Sequence, residues 1–138
     1  MMRVTNMLGA AALVAALSVS ATPAPEGARV YFLSPADGEV LGSEFTVRFG
    51  LEGMGVAPAG VEKENTGHHH LLINADPMPD LSQPLPASDQ VHHFGGGQTE
   101  TRLILPPGDY RLQLVLGDAQ HVPHQPPVMS DVIQITVK

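Results

Sequence analysis

The sequence predicts an all-β domain built as a two-sheet antiparallel sandwich, on three observations. Several segments alternate apolar and polar residues with a period of two, the mark of a strand with one face in a core. The 138 residues include 14 glycines and 13 prolines, which interrupt helices but suit short strands joined by many turns. No segment repeats its apolar residues at helical spacing. The length is that of one domain, or of one domain plus a leader, and 43% hydrophobic residues supply a packed core.

The elements follow in order. Arg29–Leu33 (RVYFL) reads as the first strand, stopped by the turn residues Ser34–Gly38. From Glu44, Phe45, Val47, Phe49 and Leu51 share one face while Glu44, Thr46 and Arg48 share the other. Gly53–Asn65 reads as a loop, and Gly67–Ile73 (GHHHLLI) as a further strand. Asn74–Gln90 contains four prolines and reads as a long loop, a kind of segment that is uncommon in small domains and often functional. Val91–Gln98 continues the irregular stretch, with Gly95–Gly97 allowing positive φ or a close backbone approach. Thr99–Leu105 resumes a strand, and Pro106–Asp109 reads as a hairpin-type turn. Beyond it Tyr110, Leu112, Leu114 and Leu116 alternate with polar or smaller residues; Gly117–Met129 is a second loop, and Ile133, Ile135 and Val137 mark the last strand. Six to seven strands without a helix pack most naturally as an immunoglobulin-like antiparallel β-sandwich, with a small open barrel as the alternative.

Ahead of the sandwich, the chain begins with a basic Arg3, an apolar run from Leu8 to Val19 and the small residues Val19-Ser20-Ala21. This is the pattern of a secretory signal peptide, and the run is too short to span a bilayer stably. Residues 1–21 are therefore expected to be removed, residues 22–28 to form a flexible lead-in and residues 29–138 to form the sandwich, in a periplasmic or secreted protein. There is no cysteine, so disulfides, zinc–thiolate sites, iron–sulfur clusters, thiol nucleophiles and blue-copper centres are excluded. Fourteen acidic against seven basic residues leave a net charge of −7, which repels nucleic acid. No tryptophan and only two tyrosines and four phenylalanines leave little for a base-stacking platform.

The chemistry is concentrated in histidine. All seven histidines lie between His68 and His124, in three clusters: His68-His69-His70, His92-His93 and His121-Val122-Pro123-His124. On a strand whose Leu71 and Ile73 face the core, His69 shares their side while His68 and His70 project together from the other. Such a His-x-His pair places two imidazoles on one ion without distorting the backbone, and the other two clusters lie in loops free to bring more. In a thiol-free, oxidising compartment imidazole suits copper, zinc or nickel. Met129, near the third cluster, with Met54 and Met78 in other loops, adds a thioether preference for copper. The expected metal ligands are therefore His68, His70, His93, His121 and His124, with copper ion as the cofactor and zinc as the alternative. His69 is expected to be structural, and His92 is left open.

Blander readings stand beside this one. The clusters could be solvated surface runs, satisfied hydrogen bonders or a pH-sensing group, since histidine changes charge near neutrality. Gln98, Glu100, Asp118 and Asp131 could orient imidazole N–H groups or serve as ordinary turn and surface residues. Gly95-Gly96-Gly97 lacks the lysine and hydroxyl residue of a phosphate loop. No nucleophile elbow or carboxylate pair is legible, so no catalytic residue is assigned. The expected function is metal storage, trafficking or resistance; the alternative is a non-catalytic envelope interaction module without metal.

From about Glu62 onward the chain resembles a family of small secreted bacterial domains of unknown function. The resemblance rests on Glu64–Ile73 (ENTGHHHLLI), His93–Thr99 (HFGGGQT), Leu116-Gly117-Asp118, His121-Val122-Pro123-His124 and Pro126–Ser130 (PPVMS). It implies little about activity, but it does imply that the histidines are not accidental. Ser34–Leu41 (SPADGEVL) is similar to the opening of bacterial immunoglobulin-like domains and of CopC-type periplasmic copper-resistance proteins. That similarity implies the sandwich architecture; the histidine those proteins carry at the mature N-terminus has no counterpart here.

Overall fold

The computed structural model describes residues 9–12 and 21–138. The expected signal peptide lies mostly outside the described residues, and no helix among them is long and apolar enough to cross a membrane. The chain folds as an all-β sandwich, as its alternation predicts. Nine strands form among the described residues: β1 (Arg29–Ser34), β2 (Val40–Leu41), β3 (Glu44–Glu52), β4 (Gly55–Val56), β5 (Thr66–Ile73), β6 (Val91–His93), β7 (Glu100–Ile104), β8 (Gly108–Gly117) and β9 (Ile133–Val137). One sheet has the order β1-β3-β7; the other runs β2-β9-β8-β5-β4, with β6 also paired to β5.

The inner faces meet as the period-two pattern requires. Val30, Phe45, Val47, Phe49 and Leu103 from the smaller sheet pack against Leu71, Ile73, Leu112, Leu114, Leu116, Ile133, Ile135 and Val137 from the larger. A second, smaller cluster lies on the outer face of the larger sheet, where Leu72, Val91 and Val115 are covered by Leu85. Leu85 belongs to the proline-rich Asn74–Gln90 loop, which is thus a cover for that face.

The structure departs from the sequence reading in four places. The three additional strands are two or three residues long, too short to show a period. His92 and His93, expected in a loop, lie on β6: the Ser88 hydroxyl accepts from the Gln90 and Val91 amides, and this turn launches the short strand. Pro106–Asp109 does not close a hairpin, because β7 and β8 belong to different sheets. It is instead a corner between them, braced by the Tyr110 hydroxyl donating to the Pro106 carbonyl at 2.7 Å, the tyrosine corner of immunoglobulin-like sandwiches. Finally, the proline-rich lead-in is docked. Pro23 bridges Gln125, and the backbones of Thr22 and Ala24 exchange hydrogen bonds with Gln125.

Candidate metal centre

Strand parity separates the three consecutive histidines. His69 faces inward with Leu71 and Ile73, while His68 and His70 face outward with Leu72. Register then sets their neighbours. On one side His68 is opposite Gly117 and His70 opposite Val115; on the other, His70 is opposite His93. His93 therefore shares the outer face with His70, and Gly117 leaves room beside it. A Cβ at Gly117 would lie 2.5 Å from His70 Cε1 and 3.1 Å from its Nδ1, so only glycine accommodates the ring.

His121 arrives from the loop after β8. Asp118 shapes that loop: its Oδ1 accepts from the Gln120 and Val122 amides at 2.9 and 3.0 Å, and its backbone exchanges bonds with His121 and Val122. The Thr22 hydroxyl donates to Asp118 Oδ2 at 2.7 Å. His121 is held at φ 64°, a left-handed conformation uncommon for a residue with a side chain and typical of sites where surroundings impose it. Its carbonyl accepts from the Leu85 amide, tying the loop to the cover of the outer face.

Three ring nitrogens meet here. His121 Nδ1 lies 2.9 Å from His68 Nε2 and 3.2 Å from His70 Nε2, and one nitrogen from each ring falls within 4.8 Å of the others. With metal–nitrogen bonds near 2.0–2.1 Å, neighbouring ligands of a tetrahedral ion stand roughly 3.3 Å apart. Two of the three separations thus match a coordination shell, and the cluster could hold a metal ion. His93 flanks the triad, its ring centroid 4.5 Å from those of both His70 and His121. His68 and His70 are fully buried, whereas His93 and His121 are half-buried, so the site has an open side.

Burial keeps His68, His70 and His93 neutral. Burial, reinforced by mutual repulsion among imidazoles, pulls His68 down to about 4 and His70 to about 2. His93 is lowered by burial and then by His121, against an opposing pull from the backbone of Pro86 and Leu85. Neutral imidazole is the metal-binding form, so protons do not compete at neutral pH. Buried with no hydrogen-bond partner are His68 Nδ1 and His70 Nδ1, which point away from the meeting nitrogens, and His93 Nε2, whose isolation a bound ion would help explain.

The remaining candidates stand apart. His124 is buried, but its Nε2 lies 3.3 Å from the Thr66 carbonyl and its ring packs against Gly67, outside the converging triad. His69 sits between the sheets, 4.9 Å from the Phe49 ring, with both nitrogens unpartnered and a value pulled by burial to about 4. His92 points away from His93, its Nε2 3.0 Å from the Asp89 carbonyl. The methionines pack with hydrocarbon or lie exposed, their backbones away from the triad. Met129 packs in the outer cluster opposite Val115, about 10 Å, or two strand spacings, from His70; Met54 packs on the main core, and Met78 is exposed. None of the four candidate acceptors meets an imidazole: Gln98 bonds Gly96, Glu100 pairs with Arg48, the Asp131 carbonyl accepts from Ser130, and Asp118 holds the loop. Gly117 and Thr22 are the site residues that sequence reasoning missed. Asp118 with the amides two and four residues on is a local turn signal; Gly117 is recognisable only once the register is known.

The comparison that decides the family concerns residues 47–138, which match the family described as Domain of unknown function (DUF4399). The chain belongs to the DUF4399 family. The match takes in all seven histidines, the 118–124 loop and every strand from β5 onward, and begins well before Glu62, where the resemblance was expected to start. No curated protein and no solved structure is significantly similar to the chain.

Proposed function

We propose that this DUF4399 domain is an exported carrier of a transition-metal ion, copper ahead of zinc, serving storage, trafficking or resistance. The observation that carries the reading is the meeting of His68 Nε2, His70 Nε2 and His121 Nδ1 at coordination spacing. Imidazole serves both metals, and the affinity order for divalent ions places copper above zinc at such a site. The preference for copper rests here on the imidazoles, since the methionines pack in hydrocarbon clusters or lie exposed. Export rests on the leader pattern of residues 1–21. A carrier fits a shell built mainly from side chains on a rigid sheet, with one open side for entry.

Calorimetric titration of the untagged protein with copper(II) and zinc(II) tests this. One equivalent should bind, copper more tightly, and the His68→Ala/His70→Ala double variant should lose uptake while remaining folded. Equal uptake by the double variant would move the site elsewhere. No saturable uptake by the wild type would leave the interaction module as the reading.

A further inference from the structure

His93 is placed unlike the triad it adjoins. His68 and His70 lie on β5, which is paired on both sides at His70, and neither is exposed. His121 is strapped by the Asp118 turn and by its carbonyl bond to Leu85. His93 instead sits at the end of a three-residue strand that pairs with β5 alone, beside the Gly95–Gly97 segment, and is half-buried. Being opposite His70 in an antiparallel pair, its Cβ starts about 5 Å from that of His70. Its ring lies equally close to His70 and His121, on the triad's half-exposed side, and its Nε2 is buried without any partner.

Resting on the metal-carrier reading above, we infer that His93 is the exchange ligand of the site: a fourth imidazole that closes the shell around the ion and is the first to leave. Three nitrogens leave one position of a four-coordinate ion open. A rotation of the His93 side chain brings its unpartnered nitrogen into that position. The two buried β5 ligands have no open path to solvent, and the Asp118 turn and the Leu85 bond fix the backbone that carries His121. His93 can swing toward solvent while the other three hold. During transfer, a lone pair from an acceptor's donor group replaces the His93 nitrogen at the ion; one bond forms as one breaks, with no change in oxidation state and no proton required. The chemistry that recognises the loaded site is thus a neutral nitrogen or thioether donor approaching from the β6 edge.

The test compares wild type, His93→Ala, the bulkier polar His93→Gln and the control His92→Ala, each loaded with one equivalent of copper(II). X-ray absorption counts imidazoles, and stopped-flow mixing with excess EDTA reads release. The expected result is four imidazoles in wild type and His92→Ala, three in both His93 variants, and release faster by about tenfold in the latter. Unchanged imidazole count and release in the His93 variants would overturn the inference while leaving the carrier reading intact. Failure of the wild type itself to retain copper would instead overturn the carrier reading, and this inference with it.

Discussion

The two faces of β5 carry the same residue type under the same burial and lead to opposite chemistry. On the inner face His69 is sealed between the sheets against Phe49, and neither nitrogen finds a partner. On the outer face His68 and His70 are equally inaccessible, yet each has its Nε2 beside His121. Burial alone therefore does not mark a metal site. What distinguishes the outer face is that a loop and a short strand deliver further imidazoles to it, while the inner face receives hydrocarbon from the opposite sheet.

The sharpest way to break this contrast is to make the same substitution on both faces. His70→Leu should abolish metal uptake, and with it the stabilisation a ligand confers, about 2.7 kcal/mol at a hundredfold excess over Kd. His69→Leu should leave uptake intact and hold or raise the melting temperature, because it removes two unpaired polar atoms from an apolar site in favour of a similar volume. Thermal melts with and without copper read both outcomes. Loss of uptake in His69→Leu, with the fold retained, would mean that the inner ring supports the outer pair and that the faces are not independent.

Acid should act on both faces at once. The folded-state values of His68 and His69 are near 4 and that of His70 near 2, all below the ordinary 6.5. Below pH 6.5 the unfolded chain therefore binds more protons than the folded one. The stability contributed by neutral burial is complete above pH 6.5 and drains as pH falls toward 4, by an amount on the order of 3 kcal/mol for each of the three rings in the metal-free protein. Denaturant melts between pH 7.5 and 4 measure it, and His69→Leu should show a shallower decline. A flat profile would show that the rings are hydrated in solution.

Gly117→Ala separates packing from charge. The added methyl falls on His70 Cε1, so the ring must move away from His68 and His121. A loss of roughly 1–3 kcal/mol is expected from overpacking, together with weakened copper binding by titration. Retained affinity would mean that the triad reassembles around a shifted His70.

How much of this was legible follows from where the information resides. Three of the six long strands announce themselves by alternation and the others as β-type runs bounded by turn residues, and the opposite facing of His69 against His68 and His70 follows from Leu71 and Ile73 alone. The meeting of the outer rings does not, since it depends on register: Gly117 opposite His68, and His93 opposite His70. Nothing in the spacing of His121 and His124 says which joins the pair. The Asp118 turn delivers the first, while the bare Gly67 and the Thr66 carbonyl hold the second. The lead-in was illegible for a related reason, as its partners lie about a hundred residues away in sequence.

That lead-in gives the smallest effect and the finest resolution. Thr22 donates to the carboxylate that shapes the His121 loop, whereas Thr136 donates at the same 2.7 Å to Asp109, far from the histidines. Replacing either hydroxyl by the methyl of valine removes one hydrogen bond to a carboxylate. For Thr22→Val the bond is partly buried, and a loss of about 1–2 kcal/mol is expected in urea melts; for the exposed Thr136→Val bond the loss should be smaller. Copper affinity should part the two more clearly. It should fall about tenfold in Thr22→Val, as when outer partners of a metal ligand are removed, and stay unchanged in Thr136→Val. Were both variants to keep wild-type affinity, the φ 64° conformation of His121 would be maintained by the Asp118 backbone turn and the Leu85 contact without help from the lead-in.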